Sequence, residues 1–242
     1  MSDADLRIAE NVALVRQRIA DAAVRSGRTD DQITLVAVTK YVGLPEIESI
    51  LKAGCNVLGE SRPQQLWSKA DALQDRAIQW HLIGHLQRNK TARTLPLISL
   101  MHSLDSLRLL KAVDREMTAS EKTIDALLEV NVSGDTAKHG FETDKLEPIL
   151  ESLAGYSGIR VRGLMTMAGR TTGSKGARRD FVRLRELRDS LRPRCPDNVS
   201  LDELSMGMSG DYEIAIEEGA TIVRVGSVLF EGVTPAAPDQ ND

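Results

Sequence analysis

Four groups of residues in this 242-residue chain have types and spacings that suit chemistry. Lys40 closes the run Ile33-Thr34-Leu35-Val36-Ala37-Val38-Thr39, whose apolar and β-branched residues read as a buried parallel strand. An ammonium group at the tip of a core strand needs water, a counter-charge or a chemical role. Lysine is also the side chain whose pKa falls most readily on desolvation, which makes it a nucleophile for aldehydes. A solvated lysine that opens a loop is the competing reading. The second group is Ser205-Met206-Gly207-Met208-Ser209-Gly210-Asp211, where small residues free backbone N–H groups to meet an anion at a helix start. Its competing reading is an ordinary N-cap at Ser209 or Asp211. Arg224-Val225-Gly226-Ser227 forms the third group. The fourth is His81 within Trp80-His81-Leu82-Ile83-Gly84.

These residues stand at the ends of a regular series of elements. A helix over 4–26 carries Leu6, Ala9, Val12, Val15, Ile19, Ala22 and Ala23 on one face, and Gly27 stops it. Strands are expected at 33–39, 56–60, 78–84, 97–103, 124–132, 159–167 and 201–205, with the eighth inside 220–229. Helices are expected at 45–53, 63–75, 87–94, 105–119, 143–155, 175–191 and 210–218. Eight strands alternating with helices behind one leading helix is the pattern of an α/β protein, a (β/α)8 TIM barrel. A doubly wound sheet is the alternative, but such sheets usually stop at about five or six strands. Residues 1–232 read as one domain, and the Pro-rich stretch from Pro235 within 233–242 reads as a disordered tail.

Composition narrows the classes. Hydrophobic content of 41% supports a sizeable core, and with only 3% aromatic residues that core must be aliphatic. A net charge of −4 gives no general attraction to nucleic acid or anionic membrane. Cys55 and Cys195 are too few for a disulfide framework and too far apart for a local metal clip, so no metal site is expected. No stretch approaches the roughly 20 apolar residues of a membrane span, and no apolar leader opens the chain. The protein is expected in the cytoplasm.

In such a barrel the strands' C-terminal ends converge on the active face, and the loops after strands seven and eight are the usual phosphate site. Reading those ends in order gives Lys40, Glu60, His81 with Gly84, Ser103, Asn131, Met165 with Thr166, Ser205, and Arg224 with Gly226. Lys40 adds an amine on the first strand, next to the eighth once the barrel closes. A lysine beside a phosphate cradle suits a phosphorylated aldehyde held as a Schiff base, and pyridoxal 5'-phosphate (PLP) is the common biological example.

From about residue 6 to residue 232 the chain resembles the pyridoxal-phosphate homeostasis proteins, single-domain relatives of the alanine racemase barrel. The resemblance is carried by Leu35-Val36-Ala37-Val38-Thr39-Lys40, Leu58-Gly59-Glu60, Trp80 to Lys90, Val130-Asn131-Val132, Lys138-His139-Gly140, Arg162 to Met167, Ser205 to Asp211 and Val223 to Ser227. It implies PLP as cofactor and Lys40 as its covalent Schiff-base lysine. Ser205, with the backbone around Gly226 and Ser227, would hold the phosphate. Arg224 would face the pyridine nitrogen, with a salt bridge inside the mouth as the competing role. His81 and Met165 would line the ring or simply pack the core, and Asn131 and Met208 complete the cofactor-binding set. Lys90 and Lys138 are basic residues near the mouth whose roles the resemblance leaves open. One departure stands out: the family continues Gly-Glu with asparagine, whereas this chain has Ser61-Arg62-Pro63.

An arginine partner favours an unprotonated pyridine nitrogen and a weaker electron sink than a carboxylate partner gives. Racemisation also needs a second base, which the racemases supply from a domain after the barrel, and Tyr41, Tyr156 and Tyr212 all lie within the barrel region. The expectation is therefore a PLP-binding protein of intracellular PLP homeostasis, without clear catalytic turnover. The partners expected are PLP itself and apo PLP-dependent enzymes as recipients, with no nucleic acid and no membrane, in a monomer or weak dimer. A small PLP-dependent amino-acid racemase is the alternative. A class I aldolase is a third reading, weakened because its usual strand-six lysine is missing between Arg160 and Met167.

Overall fold

The computed structural model describes residues 2–134, 139–169 and 173–233. Eight parallel strands run in order: β1 (Thr34–Val38), β2 (Val57–Glu60), β3 (Gln79–Leu82), β4 (Leu100–Leu104), β5 (Ile124–Asn131), β6 (Ile159–Met165), β7 (Val199–Ser205) and β8 (Ile222–Val225). Each pairs with the next, and β8 pairs back onto β1 through Thr34↔Ile222 to Ala37↔Val225, so the sheet closes. This is the (β/α)8 barrel that the alternation implies. A two-residue strand, Phe141–Glu142, adds itself beside Val130 and Asn131 at the end of β5.

The outer ring contains α1 (Asp3–Arg25), α2 (Leu44–Lys52), α3 (Pro63–Ala72), α4 (Thr91–Thr94), α5 (Leu107–Ala119), α6 (Leu146–Leu153), α7 (Gly173–Leu191) and α8 (Tyr212–Glu217). The helix expected at 87–94 splits into a 3-10 turn, Arg88–Lys90, and the single turn of α4, which Pro96 follows closely. Strand seven begins two residues earlier than its apolar run suggests, at Val199.

No α-helix follows β8 among the described residues; a 3-10 turn, Ser227–Phe230, takes its place. The leading helix supplies the missing outer layer. Its N-terminus is fixed by a capping box in which the Asp5 N–H donates to Ser2 Oγ and the Ser2 N–H donates to Asp5 Oδ2. Its buried face, Ile8, Val12, Val15, Ile19, Ala22 and Ala23, packs between α2 and α8 and over the 3-10 turn. The Ser49 hydroxyl of α2 donates to Asp5 at 2.6 Å. The buried Asn11 amide donates to the Leu229 carbonyl at 3.2 Å and the Glu231 carbonyl at 2.9 Å, tying the first helix to the last turn.

Strand alternation divides the core in two. Outward residues join the helices in one large apolar layer. Inward residues Val36, Leu100, Leu127, Met165 and Ile222 form a small cluster within the barrel. Lys138 and the residues from 234 onward lie outside the described residues, and so does the proposed tail apart from Val233. Among the described residues, no helix is long and apolar enough to cross a membrane.

The tie at Asn11 yields a stability prediction. Asn11→Ala should cost about 1–3 kcal/mol, because it strands the Leu229 carbonyl at the barrel seam and leaves the Glu231 carbonyl with Arg7 alone. Leu14→Ala, at a position 53% exposed on the same helix, should change stability by less than about 0.5 kcal/mol. Urea unfolding of the two variants checks the contrast; equal effects would remove the seam argument.

Candidate functional site

Above the apolar cluster the inward positions turn polar. Two residues beyond Ile222 stands Arg224, two beyond Leu100 stands His102, and two beyond Leu127 stands Glu129; all three are buried. A buried guanidinium must place its donors. Arg224 Nη1 donates to the Ser205 hydroxyl at 2.5 Å, and Nη2 donates to the Thr166 carbonyl at 2.9 Å. Ser205 Oγ also lies 2.8 Å from His102 Nδ1, and His102 Nε2 lies 3.0 Å from His81 Nδ1. A chain of polar contacts therefore crosses the barrel from β3 through β4 and β7 to β8.

Burial sets the charge states in this chain. It pushes the His81 imidazole down to about 4, and His102 well below its usual range, with His81 and Arg224 adding to the effect. Both rings are neutral near pH 7. Burial also draws Arg224 down to about 10, which leaves it cationic, and the carboxylates of Glu129 and Asp211 oppose that shift. The Glu129 carboxyl is pushed up to about 7, first by burial, then by the charge of Asp105; Arg224 and His85 act the other way.

Lys40 lies in the turn just after β1, half-buried, with its ammonium 4.8 Å from the centroid of the Tyr41 ring. A second lysine braces the strand end behind it. Lys69 of α3 donates to the Thr39 carbonyl at 2.8 Å and to Glu60 Oε1 at 2.6 Å, and the Thr39 hydroxyl donates to the same carboxylate at 2.6 Å. The Glu60 side chain is fully buried, so this ion pair holds the residue before Lys40 in a low-dielectric clamp.

The loop after β7 is built on side-chain-to-backbone bonds. Asp211 Oδ1 accepts the Met208 N–H at 2.6 Å, and Ser209 Oγ accepts the Gly226 N–H at 3.1 Å. Neither residue caps α8 with its side chain, so the simple N-cap reading does not describe this loop. The backbone N–H groups of Ser209, Gly210 and Ser227 meet no acceptor among the described residues. Gly226 packs against Val38, where a Cβ would come within 3.2 Å, so the loop after β8 lies beside the strand that ends at Lys40. The free N–H groups, the nearby amine and the buried guanidinium make a donor set that fits a phosphorylated aldehyde.

Other expected residues fall in less direct places. Met165 belongs to the apolar cluster within the barrel, and Met208 is 40% exposed on its loop. Asn131 closes a turn in which its Oδ1 accepts from the Ser133 hydroxyl and the Gly134 N–H. Ser227 is exposed at the start of the last 3-10 turn. Lys90 is half-buried, and the Ser61 backbone lies against Gly84.

Residues 7–235 match the alanine racemase N-terminal domain family. A pyridoxal phosphate homeostasis protein of Aquifex aeolicus is 39% identical over 221 residues, spanning 91% of this chain and 96% of its own. The chain belongs to this family. PipY, a protein of Synechococcus elongatus solved with PLP bound, is 30% identical with a TM-score of 0.82, over 92% of this chain and 99% of its own. Alanine racemase from Corynebacterium glutamicum shares the barrel fold, with a TM-score of 0.70 at 15% identity; this chain spans 63% of it.

The family motifs did not point to His102, Glu129 or Lys69. The signal for the first two is visible in retrospect. Each is a polar residue at an inward parity position directly after an apolar pair, Leu100-Met101-His102 and Leu127-Leu128-Glu129.

Glu129 gives this site a pH signature. The folded chain keeps the proton up to about 7, whereas the unfolded carboxyl loses it near its ordinary 4.5. The unfolded state therefore binds fewer protons across that window, and the contribution of Glu129 to stability falls as pH rises from 4.5 to 7. Glu129→Gln should gain stability relative to the unmodified chain over this window, by up to a value on the order of 3 kcal/mol, and level off above it. Urea unfolding at pH 5, 6 and 8 measures the difference; a pH-independent offset would contradict the assignment.

Proposed function

We propose that this chain binds PLP reversibly through Lys40 and acts in intracellular PLP homeostasis as a carrier, without catalytic turnover. The observation that carries the reading is the position of Lys40, on a braced strand end beside a loop with uncommitted N–H groups. The PLP-bound relative PipY supports the choice of ligand.

When bound, PLP supplies an aldehyde that condenses with an amine, with loss of water, and a phosphate monoester that accepts hydrogen bonds. Lys40 is the amine. The N–H groups of Ser209, Gly210 and Ser227 would donate to the phosphate, with Gly226 keeping the backbone close. Ser205 acts here through Arg224: its hydroxyl is buried and already engaged, so it orients the guanidinium. Arg224 stays cationic, and facing the pyridine nitrogen it would keep a proton off that atom and weaken the ring as an electron sink. By the family resemblance, His81, Asn131, Met165 and Met208 would line the ring.

The tyrosines favour a carrier over a racemase. Tyr41 lies against Lys40 itself, Tyr212 is buried in α8, and Tyr156 lies in the α6–β6 connection at the far end of the barrel. None of the three stands across the mouth from Lys40 to serve as a second base. The chain would deliver PLP to apo enzymes in the cytoplasm, an environment that suits its two free thiols, Cys55 and Cys195.

Borohydride reduction of the PLP-loaded protein, followed by peptide mass mapping, should place the adduct on Lys40. Lys40→Ala should abolish the adduct and weaken PLP binding at least tenfold while leaving phosphate-dependent binding measurable. An adduct that persists in this variant would move the anchor to another lysine. Turnover of L- or D-alanine by the unmodified chain would replace the carrier reading with the racemase.

A further inference from the structure

Opposite the lysine and the phosphate loops, on the arc formed by β3, β4 and β5, the mouth carries a second group of chemically capable side chains. His85 follows β3, Asp105 follows β4, and His139 follows β5. One ligand atom from each lies within 4.8 Å of the others. His85 Nδ1 is 2.6 Å from Asp105 Oδ2, and His139 Nδ1 is 4.0 Å from the same oxygen. The two imidazoles stack with centroids 4.8 Å apart and ring planes 16° from parallel.

The carboxylate is the unusual member. The Asp105 side chain is 4% exposed, yet its Oδ1 meets no hydrogen-bond donor among the described residues. A buried carboxylate oxygen without a donor is costly, and a cation held by this carboxylate, whose Oδ2 faces the two imidazoles, would give it a partner. The histidines, by contrast, have side chains 46% and 67% exposed, so an ion can enter from solvent.

The backbone fixes both histidines close to this carboxylate. Gly84 lies so close to Ser61 that a Cβ would fall 2.2 Å from the Ser61 carbonyl oxygen, and the Ser103 hydroxyl donates to the Gly84 carbonyl at 2.6 Å. His85 therefore leaves β3 in a set direction. Gly140 has φ +108°, and a Cβ there would sit 2.9 Å from the Glu129 carbonyl oxygen. The next residues, Phe141 and Glu142, pair with Val130 and Asn131. This anchors His139 to the end of β5 from its C-terminal side.

We propose that His85, Asp105 and His139 form a binding site for a divalent first-row transition ion, with zinc as its representative. Two imidazoles and one carboxylate suit zinc, cobalt or iron and leave open positions for water or for an anionic group brought into the mouth. Metal–donor bonds of about 2.0–2.1 Å in tetrahedral geometry put donors roughly 3.3 Å apart, so the 2.6 Å contact between His85 and Asp105 must open slightly and the exposed His139 ring must move inward and turn its nitrogen toward the ion. On binding, the imidazole nitrogens at the ion are unprotonated. Any proton on His85 Nδ1 passes to Nε2 or to solvent, and Asp105 ligates as the carboxylate.

The test uses the full-length chain freed of adventitious metal on a chelating resin. Isothermal titration with zinc chloride, with metal analysis after desalting, should give one zinc per chain. His85→Ala and His139→Ala should each weaken binding at least tenfold, with the far-ultraviolet circular dichroism unchanged. His139→Gln, which keeps the polarity but not the ligand, should match His139→Ala. Substoichiometric zinc in the unmodified chain would overturn the proposal. So would zinc binding by the folded double variant His85→Ala/His139→Ala at the affinity of the parent.

Discussion

A guanidinium sealed inside the barrel sets the terms for everything above the apolar cluster. Arg224 is 4% exposed, and its donors must be met by protein. Ser205 and the Thr166 carbonyl meet two of them. Ser205 then becomes the point where the arginine joins the histidine chain, and both imidazoles stay neutral because of burial, with the nearby cation adding to the effect at His102. Glu129 and Asp211 are the opposing charges. Remove the arginine and the carboxylate, serine and histidines have no reason to share one tier.

The same separation of tasks runs round the mouth. On the β1 side, a buried ion pair behind the sheet, Lys69 with Glu60, holds the carbonyl of Thr39 and so the start of the Lys40 turn. The Lys40 amine stays half-exposed while its support is dry. On the β7 and β8 side, Ser209 and Asp211 consume two backbone N–H groups and leave their neighbours uncommitted. With only six residues, α8 contributes little macrodipole, so any pull on an anion here would come from the loop amides themselves.

Much of this was legible in the sequence. Apolar runs ending in Lys40, His81 and Arg224, separated by helical periodicities, specify a barrel and the face that carries its chemistry. Less legible were contacts that depend on closure. Lys69 reads as one more surface charge on a helix, because only the folded α3 brings it to the Thr39 carbonyl. Ser205 reads as a phosphate ligand, because its sequence neighbours do not show that His102 and Arg224 both reach its hydroxyl. His102 and Glu129 needed the inward parity of each strand to be followed residue by residue, and a register irregularity between Ala126 and Leu127 in β5 blurs that count.

The leading helix has a consequence for how the molecule is made. It fills the outer position behind β8, and Asn11 is held by carbonyls more than two hundred residues downstream. Among the described elements, the one made first thus docks on the one made last. During synthesis the apolar face of α1 can rest on α2, but its other flank waits for α8 and the final turn. The ring cannot close by local growth from one end, and its last contact is its longest-range one, so closure comes late and slowly. The same geometry makes the join between first helix and last turn a natural place to fuse the two ends and open the chain elsewhere, since the ring has no structural beginning.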